Sequence, residues 1–97
     1  MVFLIRDSFI LAVGTKYDND DIIKVFRDEV ERILSTSCTV YIDDQPINDT
    51  LPKTFPEKVD ALVYYLLQGT TVFKFRWHGP HGQVNSESVI HLQRYEM

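Results

Sequence analysis

Three histidines, one cysteine and two groups of acids are the side chains with chemistry to offer in this chain of 97 residues. His78 and His81 bracket Gly79-Pro80, and His91 follows on the next strand-like segment. Zinc takes three or four ligands, and paired histidines in zinc fingers stand three to five residues apart. A metal-assisted hydrolase using His78, His81 and His91 would require the hairpin loop to fold back over the following strand. A Gly-Pro turn flanked by solvated histidines accounts for the first two without any metal. No metal and no other cofactor is therefore expected.

The acids divide in the same way. An EF-hand loop starting at Asp18 puts Glu29 at its twelfth position. Ile22 and Ile23 then stand at the fifth and sixth, where an oxygen ligand and a glycine are needed. Asp18, Asp20 and Asp21 are better explained as capping residues and dipole partners at a helix N-terminus. Asp43, Asp44 and Asp49 have the chemistry of a two-metal nuclease, but no basic or glycine-rich pattern adjoins them, and such clusters make turns. Cys38 alternates with Val40 and Ile42, which predicts a buried core thiol rather than a nucleophile. The sequence contains no Gly-rich phosphate loop, nucleophile elbow or His-Glu-x-x-His helix. No catalytic residue is assigned, and binding readings rank above enzymatic ones.

The elements that must position these groups follow from periodicity. Val2–Val13 is rich in strand formers, either two strands folded at Asp7-Ser8 or one long strand with a bulge there. Ile22, Phe26, Val30 and Ile33 recur at helical spacing over Asp20–Ser35, with Ile23 and Leu34 widening the stripe and charges opposite. Cys38–Ile42 alternates as a strand, Asp43–Pro46 turns the chain, and a loop runs to Lys53. Thr54, Pro56 and Glu57 together mark a helix start, and Gly69 stops that helix after about Gln68. Phe73, Phe75 and Trp77 alternate with Lys74 and Arg76. A turn-rich loop begins at His78–Gly82, and a last strand covers about Glu87–Tyr95.

This order predicts an α+β two-layer sandwich: one domain over residues 1–97, with a mainly antiparallel sheet of 4–5 strands and two helices on one face. A β-grasp-like arrangement of the opening hairpin, helix and next strand is the alternative. Hydrophobic residues at 44% and charged residues at 25% exclude disorder, and a single cysteine excludes an internal disulfide framework. The longest uninterrupted apolar stretch, Ala61–Leu67, falls far short of the ~20 residues of a membrane-spanning helix. No leader-like segment opens the chain, so a cytoplasmic protein is expected.

Two surface features carry the functional reading. The second helix directs Val59, Leu62, Val63, Leu66 and Leu67 to the core, leaving Ala61, Tyr64, Tyr65 and Gln68 outside. Asp60 is the sole charge between Val59 and Gln68. A helix so nearly uncharged all round is normally covered on both sides, and tyrosines favour interfaces. The second feature is charge asymmetry within a net −4: residues 1–60 carry twelve acids and seven bases, whereas the remainder is mildly basic. Lys74, Arg76, His91, Gln93, Tyr95 and Tyr41 fall on the sheet face away from the core, the pattern of a nucleic-acid-binding sheet but with a small basic footprint.

The expected function is a small acidic protein-binding module that inhibits, regulates or assembles a larger protein partner, of the immunity-protein or viral-antagonist kind, or that forms a homodimer. Its contacts would come from Ala61, Tyr64, Tyr65 and Gln68, from His78 and His81, or from Asp18, Asp20 and Asp21. Nucleic-acid binding through Lys74, Arg76, His91 and Tyr95 is the second reading, and the three-histidine hydrolase the third.

Overall fold

The described residues, 1–95, form strands β1 (Val2–Arg6) and β2 (Phe9–Gly14), helix α1 (Asp20–Leu34), and strands β3 (Thr39–Ile42) and β4 (Gln45–Pro46). Helix α2 (Phe55–Leu67) and strands β5 (Val72–His78) and β6 (Val84–Arg94) complete them. The coordinates are a computed structural model. Six strands form one open sheet in the order β2-β1-β6-β5-β3-β4, with every neighbouring pair antiparallel. Both helices contribute to a single core against it, giving the expected α+β sandwich. The sheet exceeds the predicted 4–5 strands by β4, whose two residues are too short to show any periodicity. The β-grasp-like alternative does not form, since β3 pairs with β5 and two full helices are present.

Register decides which side chains share a face, because residues opposed across an antiparallel pair point the same way. Leu4, Ile90, Phe73, Phe75 and Val40 face the helices and are fully buried. Phe26 of α1 meets Phe73 with ring centroids 4.9 Å apart. Phe3, Ile5, His91, Val72, Lys74, Arg76 and Tyr41 lie on the other face, which no helix covers.

The opening segment is a hairpin, with Asp7 in the left-handed region at φ 57°. Its strands slip register between Leu4 and Ile5, so that Leu11 has no partner on β1. This bulge sits inside the hairpin, not at the turn.

Several expectations are corrected. The cap of α1 is Asn19, whose Oδ1 accepts from the amide of Asp21; Asp20 and Asp21 occupy the first turn. Thr54 takes the N-cap position of α2 without a side-chain cap bond, and Pro56 behind it has no N–H to offer. Leu67 is 39% exposed, because it stands about 100° round the helix from buried Leu66, off the core stripe. Cys38 is half-buried just ahead of β3 instead of lying within it. Trp77 is also half-buried, and its Nε1–H donates to Thr36 Oγ1 at 2.7 Å. The final strand starts at Val84, three residues before the predicted Glu87, because pairing continues to His78 opposite Val84.

Candidate protein-docking surfaces

Helices α1 and α2 run antiparallel: Arg27 Nη1 bonds Asp60 Oδ1 at 2.8 Å midway along both, and Tyr17 meets Gly69–Thr71 at one end. Asp18, Asp20 and Asp21 at the start of α1 therefore lie at the same end as the last turn of α2. Tyr64 stands on the crest of α2 at 61% exposure, its ring edge-on to Tyr65 with centroids 6.5 Å apart. Gln68 is exposed just past the helix, and Leu67 adds apolar surface beside it. Ala61 and Tyr65 are half-buried against the core, so the crest is narrower than the sequence predicts. Tertiary structure thus puts two of the three expected contact regions at the same end of the helix pair.

The third region lies elsewhere. His78 is the last residue of β5, six positions beyond Val72, which is roughly 20 Å of strand. His78 and His81 are exposed on the hairpin turn, where His78 Nδ1 is 3.2 Å from the Gly82 carbonyl. His91 is half-buried opposite Val72, near the other end of the strand pair. The three histidines are not brought together, and among the described residues no cluster of three or more His, Cys, Asp or Glu side chains could hold a metal.

The open sheet face carries Lys74, Arg76, His91 and Tyr95 as expected, but in a different electrical state. Lys74 Nζ donates to Asp44 Oδ1 at 2.8 Å, and Arg76 bonds Glu87 while lying 4.6 Å from the centre of the Tyr41 ring. The Lys74 bond holds the Asp44 carboxyl below its usual range, and Glu87 pushes the Arg76 guanidinium further up. Both cations are already matched by carboxylates. Tyr95 packs against Phe3 with the rings tilted 50° and centroids 4.7 Å apart, next to the apolar half of the face.

An ion network around one buried carboxylate, Glu29, joins the sheet to α1. Glu29 is 7% exposed, with Oε2 at 3.5 Å from Arg6 Nη1 and Oε1 at 3.2 Å from Arg32 Nη1. Arg6 Nε also donates to Ser88 Oγ, which in turn donates to Asp7 Oδ2. Asp7 Oδ1 accepts the Val89 amide, so the left-handed turn residue is tied to β6. The sequence signal was available: Glu29 follows Phe26 by three and precedes Ile33 by four, inside the apolar stripe. Arg6, Asp7, Phe9, Leu11 and Glu29 line a cleft of about 310 Å³ there.

Cys38 borders a separate polar hollow that also includes Thr36, Asn48 and Lys58. Burial pushes its thiol up, and the Lys58 charge opposes that only in part. Thiolate is the reactive form, so an Ellman-type reagent at pH 7–8 is expected to label the native protein more slowly than urea-unfolded protein. Equal rates would contradict a shielded thiol.

The strand β2 is the other surface missed from sequence. Phe9 is 72% exposed, Ile10 57% and Val13 42%, on a run with no charged residue from Phe9 to Gly14. That absence of charge on a hairpin strand was readable; its place at the sheet edge was not. No protein-family model, curated protein or solved structure matches this chain.

Proposed function

We propose that the chain is a small acidic protein-binding module that inhibits, regulates or assembles a larger partner. The observation that carries this reading is the exposed pair Tyr64 and Leu67 on α2, at the same end of the helix pair as the acidic start of α1. Large amphipathic side chains on a nearly uncharged surface favour association, and the neighbouring acids favour a basic partner surface. The open sheet face is the weaker candidate, because phosphate would have to displace Asp44 and Glu87 from Lys74 and Arg76.

Affinity capture from the native source tests the reading, with wild type compared against a Tyr64→Asp/Leu67→Asp variant. Both positions are exposed, so the variant should keep its unfolding free energy within about 1 kcal/mol. A protein retained by wild type and lost by the folded variant is the expected result. Identical captures would remove the α2 crest as the contact.

A further inference from the structure

The two edges of the sheet are treated differently by the fold. At one end β4 is only two residues long, and Pro46 has no N–H to offer. The loop behind it bonds back onto β3, with Ile47 N–H donating to the Val40 carbonyl and Val40 N–H donating to Asn48 Oδ1. Short strands, proline and covering loops are among the devices by which proteins blunt an edge. At the other end β2 has six residues and neither lysine nor proline. Among the described residues, no backbone bond reaches Phe9–Gly14 from any segment but β1.

The bulge gives this edge a specific symmetry. Ile10 pairs with Ile5 and Val13 with Phe3, and Phe3 and Ile5 are two apart on the open face. Ile10 and Val13 therefore share that face although they are three apart, which a regular strand forbids. Two copies joined through the same edge run antiparallel with their helix layers on one side, so opposed residues must share a face. A two-fold axis between Leu11 and Ala12 meets that condition. It sets Ile10 of one copy opposite Val13 of the other, and Phe9 opposite Gly14.

We propose that β2 is a homodimer interface: a second copy of this chain pairs with it antiparallel about a two-fold axis between Leu11 and Ala12, extending the sheet to twelve strands. The apolar strip of Phe3, Ile5, Ile10 and Val13 becomes continuous across the junction. This surface lies on a different element from the α2 crest, so failure of either contact leaves the other measurable.

Sedimentation velocity of the full chain over a concentration series reads the mass, and a dimer is expected. Ile10→Lys and Val13→Lys, each at an exposed edge position, should raise the dissociation constant by about tenfold or more while leaving the far-ultraviolet spectrum unchanged. An Ile10→Cys/Val13→Cys variant in a Cys38→Ser background should form an intermolecular disulfide under mild oxidation, because cross-strand neighbours have Cβ atoms about 5 Å apart. Ile10→Cys alone should cross-link far more slowly. A monomer at every concentration up to about 1 mM, a Kd above the millimolar range, would overturn the proposal. So would a dimer indifferent to both lysine variants, or a dimer in which the single cysteine cross-links as fast as the pair.

Discussion

Phe26→Ala is expected to lower the unfolding free energy by about 3–5 kcal/mol, the cost of deleting a buried aromatic ring and leaving a cavity. Phe26 is fully buried, and its ring is the contact through which α1 meets Phe73 at the middle of the sheet. Tilted aromatic pairs of this kind add about 0.5–1.5 kcal/mol beyond the area they bury. A domain of this length has about 5–15 kcal/mol in total, so the loss is a large share of its stability. With a urea slope near 1–1.5 kcal/mol/M, the midpoint should fall by roughly 2–5 M. Phe26→Leu keeps most of the volume and should cost clearly less. An alanine variant within about 1 kcal/mol of wild type would contradict the packing described here.

Arg6→Leu should be the most damaging change among the polar residues. It removes the guanidinium that faces the Glu29 carboxylate and takes a donor from Ser88. Leaving a buried charge without its partner costs several kcal/mol in a dry interior. Arg6 is partly exposed and Arg32 still reaches Glu29, so about 1–3 kcal/mol is the expected loss here. The double variant Arg6→Leu/Glu29→Leu should recover much of it, because the carboxylate that needed a partner is gone. Denaturant unfolding of the four proteins gives the coupling directly. Additive losses would show that Arg6 and Glu29 act independently.

These two changes differ in how readable their sites were. Phe26 belongs to a stripe with Ile22, Val30 and Ile33, and helical periodicity alone places it in the core. Phe73 and Phe75 follow equally from alternation along β5. Glu29 does not stand out in the sequence, because a charged side chain on an amphipathic helix is ordinarily solvated. Its burial depends on Arg6, which is distant in sequence and arrives only when β1 packs under α1. Leu67 failed for the opposite reason. Being apolar, it was placed in the core, whereas its angle round α2 puts it on the surface.

The surface readings show the same division. Lys74, Arg76, His91 and Tyr41 share one face as alternation predicts, since alternation is local to each strand. Their electrostatic state did not follow from alternation, because Asp44 and Glu87 come from a turn and a neighbouring strand. Likewise the three histidines are near one another in sequence, yet antiparallel pairing sends His91 away from His78 as the strands lengthen.

Sequence alone determined the two helices, the main strands, their core-facing residues and the two-layer α+β class. Each depends on propensity and periodicity within a few turns or a few residues. Tertiary structure decided the strand order, and with it that β2 stands at an edge without lysine, proline or a covering loop while β4 closes the other. It also decided that the acidic start of α1 lies at the same end as the last turn of α2, and that Glu29 is buried against Arg6. These outcomes depend on which distant segments lie side by side, and strand pairing and helix packing settle that only when the whole chain condenses onto one core.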